Sequence, residues 1–237
     1  MNITKGSDPI HAQASDPGLS RVSYWLICCA LAASAALAAP AFSQAVESRD
    51  GAIAALHDAV PEKRLEGIVW VAENGKFADA DLLHERLRDE EPILRQVAEQ
   101  GLWALWSRSG NPETDRLLAS GTEIMERGAY AEAIDIFSEV IHRTPDFAEG
   151  WNKRATAYFL AGQYRKSIAD CEEVFKRNPK HFGALSGNGQ NWLALGELDK
   201  SLEYLHRALA VNPNMDGVAE IIRKIEAFKK QRKGQAV

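Results

Sequence analysis

Between Asp216 and Lys233 the apolar residues fall at Val218, Ile221, Ile222, Ile225 and Phe228. Steps of three and four, with charged residues between them, put these side chains on one stripe of an α-helix and leave the opposite face for water. Upstream the pattern has a second, longer period. Pro145, Pro179 and Pro213 recur every 34 residues, and so do Gly128, Gly162 and Gly196. The phrases around the prolines correspond (RTPDFAEGW, RNPKHFGAL, VNPNMDGVA), as do those around the glycines (ERGAYAEAI, LAGQYRKSI, ALGELDKSL). A strict period of this length is the mark of a repeat architecture.

The units are 114–147, 148–181 and 182–215. Position 4 of the three units holds Leu117, Trp151 and Leu185, and position 8 holds Gly121, Ala155 and Gly189. Position 11 holds Ile124, Tyr158 and Trp192, and position 20 holds Ala133, Ser167 and Ser201. Position 24 holds Phe137, Cys171 and Leu205, position 27 holds Val140, Val174 and Ala208, and position 32 is proline each time. This pattern resembles the tetratricopeptide repeat family. The resemblance implies an all-α fold, a right-handed α-solenoid of three helix pairs A and B. Each pair turns at the recurring glycine and is stopped by the recurring proline, which cannot continue the backbone ladder. One pair cannot bury its own apolar face, so the units stack. The stripe over 216–233 then reads as the capping helix of a domain spanning 113–237.

Residues 46–112 are also helical in pattern, without the 34-residue period. Pro61, Arg64, Gly67 and Trp70 are echoed 31 residues later by Pro92, Arg95, Ala98 and Gly101. This weaker echo resembles HEAT-type helical repeats. Asp79 or Asp81 is placed to cap a helix carrying Leu82, Leu83 and Leu87. Trp103 and Trp106, three apart, are expected to pack against the first repeat. The cluster Gly110-Asn111-Pro112 marks the boundary before the repeats.

The first 45 residues differ. Val22 to Val46 contains no charged residue, Arg21 precedes it, and small residues two apart offer cleavage after Ala41 or after Ala45. These are the parts of a secretory signal, implying a periplasmic or secreted bacterial protein. An uncleaved inner-membrane anchor is the alternative, since 25 uncharged residues are enough to cross a bilayer. The long stretch before Arg21, with Asp8 and Asp16 against Lys5, fits a translation start downstream of Met1. Cys28 lies behind Ile27, and Cys29 behind Cys28, so neither follows the small residue a lipidation site requires. Cys171 is the one cysteine outside the segment.

Composition narrows the chemistry. The chain of 237 residues carries a formal net charge of −5, which gives no footprint for nucleic acid. The basic run Lys229-Lys230-Gln231-Arg232-Lys233 reads as a solvated helix end whose cations complement the helix dipole. The six histidines form no HxxxH pair and no CxxC is present, so no metal or other cofactor is expected. No P-loop and no G-x-S-x-G elbow occurs. The stretch SGNGQNW (186–192) resembles a phosphate-binding glycine loop but lies within a helix A, without the strand that such a loop follows. The chain is therefore read as a non-enzymatic protein-binding scaffold. In the family, helices A line a concave groove for extended peptides. The matching residues Thr122, Met125, Asn152, Lys153, Thr156, Phe159, Ser186, Gln190 and Leu193 are expected to be exposed there and to contact an unidentified protein or peptide. Chaperone-binding members clamp a terminal carboxylate with lysine, asparagine and arginine. The corresponding positions here hold Leu118, Thr122, Lys153, Gly183 and Gly187, so the clamp is incomplete.

Overall fold

The computed structural model describes residues 46–235. The signal or anchor segment, its cleavage sites and Cys28 and Cys29 lie outside the described residues. Among the described residues the chain is all helical: α1 Arg49–Leu56, α2 Pro61–Asn74, α3 Ala80–Arg86, α4 Pro92–Trp106, α5 Pro112–Glu126, α6 Tyr130–Arg143, α7 Ala148–Leu160, α8 Tyr164–Arg177, α9 Phe182–Ala194, α10 Leu198–Val211 and α11 Asp216–Gln235. Helices α5/α6, α7/α8 and α9/α10 are the A and B helices of the three repeats, and α11 packs on α10.

The recurring glycines end the A helices. Gly128, Gly162 and Gly196 adopt φ of 81°, 72° and 79°, where a side chain would be strained. In each turn the residue after the glycine donates its N–H back to the carbonyl five positions earlier: Ala129 to Ile124, Gln163 to Tyr158 and Glu197 to Trp192. This is the hydrogen-bonded stop that a left-handed glycine makes available at a helix C-terminus. The prolines at position 32 fall between each B helix and the next A helix.

Within a unit, A and B approach where a side chain is missing. An added Cβ on Gly121 would lie 2.6 Å from Phe137, and one on Gly189 would lie 2.7 Å from Leu205. Position 8 is thus small because position 24 is large. The second unit exchanges the volumes: buried Ala155 stands at position 8 and buried Cys171 at position 24. Burial pushes the Cys171 thiol far up, as expected of a packing residue rather than a nucleophile. Arg154 of α7 donates two hydrogen bonds within its own unit to Asp170 of α8 at 2.8 Å each, and a third across to the first unit, to Ser138 of α6, at 3.0 Å. Its guanidinium lies 5.1 Å from the Trp151 ring centroid, so one cation ties two repeats together.

The 31-residue echo has a local cause. Pro61 and Pro92 each open a helix at its first position, where the missing N–H is not needed. Asp58 and Asp89, three residues before each proline, accept the N–H of Val60 and Glu91. Arg64 donates to the Asp58 and Ala59 carbonyls, and Arg95 donates to those of Asp89 and Glu90. Arg64 also forks onto the Asp89 carboxylate at 2.9 Å, linking one echo to the next. The aspartates are the part of this motif that the proline and arginine spacing did not reveal. Asp79 stands just before α3 but does not cap it. Its carboxylate instead accepts from the Lys76 N–H and from Arg49.

Two glycines two residues apart in α9 should respond oppositely to alanine. Nothing lies within 4 Å of a Cβ on Gly187, so Gly187→Ala should gain about 1 kcal/mol of helix propensity. Gly189→Ala drives a methyl into Leu205 and should cost about 1–3 kcal/mol. Urea denaturation of the two variants checks the sign of each change.

Candidate functional site

The A helices place the nine sequence-predicted groove residues in two groups. One group is closed. Met125 is buried and belongs to the core between α5 and α6, with Leu118, Phe137 and Val140. Asn152, Lys153 and Ser186 are also buried, contrary to the expectation that they face solvent. Asn152 and Lys153 turn inward to an internal carboxylate.

The carboxylate is Glu149, at position 2 of the second unit and 1% exposed. Asn152 donates its Nδ2 to both Glu149 oxygens at 3.2 and 3.3 Å, and Lys153 Nζ stands 3.9 Å from Oε1. The remaining partner is His181, fully buried, whose Nε2 lies 2.9 Å from Glu149 Oε2. His181 Nδ1 accepts the N–H of Ala184 at 3.1 Å and so caps the start of α9. With Nδ1 an acceptor, the proton sits on Nε2 and is donated to Glu149. The amide and ammonium groups expected to meet a partner's backbone or carboxylate are therefore occupied by a carboxylate of the same chain.

Above this polar floor lie the two tryptophans of α4. Trp106 stacks on His181 with ring centroids 4.3 Å apart and planes at 26°. Trp103 meets His181 and Phe182 edge-on at 5.3 and 5.4 Å. Its ring fills the space of an absent side chain, since a Cβ on Gly183 would lie 2.3 Å from it. The tryptophans thus pack where the second repeat meets the third, not on the first as expected. Arg88, between α3 and α4, donates to the carbonyls of Ala210 and Val211, and Asn214 donates to the Leu87 carbonyl at 2.8 Å. The N-terminal helices are held by the second and third repeats and by the turn before α11.

The second group stays accessible. Thr122, Thr156, Phe159, Gln190 and Leu193 are half-buried, and neighbouring Leu160 is 44% exposed. The polar members spend their hydrogen bonds locally. Thr122 and Thr156 donate to the carbonyls of Leu118 and Asn152 four residues back, and Gln190 donates to Ser186. Half-buried Phe159 and exposed Leu160 are the apolar members of this group, while Leu193 packs against the core of Leu205, Val218, Ile222 and Ile225. This half of the surface suits apolar contact and supplies no charged group aimed outward from these positions.

A helix-pair solenoid whose A helices form a partly covered face is the class that this geometry defines. Residues 148–181 match the tetratricopeptide repeat family model. A TPR repeat-containing protein of Rhizobium etli is 37% identical over 132 residues, which is 56% of this chain and 65% of that protein. A heat-shock protein cognate co-chaperone of Aspergillus fumigatus is 30% identical over 112 residues, 45% of this chain and 33% of that protein. The chain thus spans less than two thirds of either relative. Among solved structures, the Sgt2 TPR domain from Aspergillus fumigatus superposes with a TM-score of 0.51 at 23% identity, over 54% of this chain and 85% of that chain. That likeness is one of fold. The helix pairs over 114–147 and 182–215 repeat the glycine turn of the matched unit and its close helix approach.

The seam leaves two buried donors or acceptors without partners: His84 Nδ1 and Trp106 Nε1. Each such atom costs about 1–3 kcal/mol. His84 lies against Trp106 with centroids 5.8 Å apart. Burial lowers its pKa from 6.5 to about 4, with Lys180 adding to the shift and Asp81 opposing it. The unfolded chain therefore takes up this proton first as pH falls. Stability held above pH 6.5 should decline toward pH 4, by at most about 1.4 kcal/mol per pH unit from this group. His84→Leu should show a smaller loss of urea midpoint than the native chain between pH 7 and pH 5. Equal losses would remove His84 as the cause.

Proposed function

We propose that this chain is a non-enzymatic interaction module of the bacterial cell envelope that holds a partner protein on the accessible half of its repeat face. The observation that carries the reading is the run of three helix pairs, one of which matches the tetratricopeptide model, with half-buried Phe159 and exposed Leu160 on the middle A helix. A co-chaperone among the relatives supports protein binding as the role of such a face. The clamp for a terminal carboxylate is a poor fit. Asn152 and Lys153 are engaged by Glu149, and Gly183 lies under Trp103. An internal segment of a partner, bound through apolar side chains, fits better. A groove of three repeats suits a short peptide or one helix, at about micromolar affinity.

Placement in the envelope rests on the uncharged stretch Val22 to Val46 behind Arg21. Exported chain should begin at Phe42 or Val46 when sequenced from its N-terminus; retention of residues 22–41 would instead support the tethered scaffold. Affinity capture from an envelope extract tests the surface. Phe159→Ala combined with Leu160→Ala should lower recovery of the captured partner about tenfold, since each truncation removes roughly 1 kcal/mol of apolar contact. Unchanged recovery, with helix content retained, would remove this strip as the binding surface.

A further inference from the structure

The closed half of the face has the features of an occupied binding site. Its floor is a satisfied polar network, Glu149 with His181, Asn152 and Lys153. Its wall carries a notch, Gly183, into which one indole fits, beside a flat imidazole on which a second indole stacks. The occupant is helical and presents the two rings three residues apart, on one face of α4. Two of the occupant's buried polar atoms, Trp106 Nε1 and His84 Nδ1, find no partner there. Between α4 and the first repeat runs only the short link 107–111, which contains Gly110 at a φ of 82°.

We propose that the start of α9 is a docking site for paired aromatic side chains on a helix, held shut in the free chain by its own Trp103 and Trp106, and that a partner helix bearing such a pair opens the groove by displacing the N-terminal helices. The intramolecular ligand thus defines the chemistry of the intermolecular one. Displacement leaves Glu149, Asn152 and His181 paired with one another, so no charge is stranded when the tryptophans leave. It also frees the indole N–H and the imidazole to reach water. The seat is therefore reusable; ring packing holds its occupant at this end, and the Arg88 and Asn214 hydrogen bonds hold the same helices at the other.

This proposal rests on the repeats being a protein-binding module, yet its test uses no natural partner and so can fail independently of the envelope capture. The probe is a fluorescein-labelled helical peptide of alanine, glutamate and lysine carrying two tryptophans three residues apart. Its control carries alanine at both sites. Fluorescence anisotropy is read against the full chain. The variant carrying Trp103→Ala and Trp106→Ala should bind the probe at least tenfold more tightly than the native chain does. Adding Gly183→Leu, which fills the notch, should abolish the gain, and the control peptide should bind neither protein. Circular dichroism establishes whether the double variant keeps its helices. If it does not, Trp103→Ala alone, which empties the Gly183 notch and leaves Trp106 where it is, takes its place. Equal binding by native and vacated chains, no binding by the vacated chain, or equal binding of the control would each overturn the proposal.

Discussion

Paired helices in this chain meet where one Cβ has no room. Gly121 lies against Phe137 and Gly189 against Leu205, while the middle unit reaches closure with Ala155 and the smaller Cys171. Everything else in the array follows from that approach. It sets the spacing of A and B helices, lets Arg154 of one unit reach Asp170 and Ser138, and brings the A helices into one continuous face. The same economy recurs in the N-terminal helices, where Gly67 admits the backbone of Ala52 and Gly101 admits Leu83 and Ala72.

The face so formed is divided by chemistry. Its polar half is satisfied within the chain, by a carboxylate, an imidazole, an amide and an ammonium group that answer one another under two tryptophans. Its apolar half keeps its hydroxyls and amide turned to its own helices. A partner that reaches the protein therefore gains from burying hydrocarbon and rings, and little from hydrogen bonds at these positions. An incomplete carboxylate clamp and an occupied notch are two aspects of one arrangement, since both follow from what sits at positions 2, 5 and 6 of the second and third units.

SGNGQNW shows how a motif resolves once its helix is known. Gly189 is the close-packing slot, Asn191 donates to Ser167 on α8 of the preceding unit and to the Gly187 carbonyl, and Ser186 is buried. A Cβ on Gly187 would meet nothing within 4 Å, so no packing contact demands glycine there. A phosphate-loop reading needs a strand before the glycines. Here the residues before them are the N-terminal turns of α9, capped by His181.

The repeats were legible because their determinants are local: a period of 34 residues carries its own small and large positions, its glycine turns and its proline stops. Nine groove positions were legible only as places on helices A. Their exposure was not: Asn152 and Lys153 turn to Glu149 of their own helix, whose other partner, His181, lies 32 positions away. Trp103 and Gly183 are 80 positions apart, and no period connects them. Periodicity states which face of a helix is apolar; it does not state which distant helix will cover it. That choice belongs to the tertiary structure, where a missing side chain on α9 and two indoles on α4 are complementary in shape.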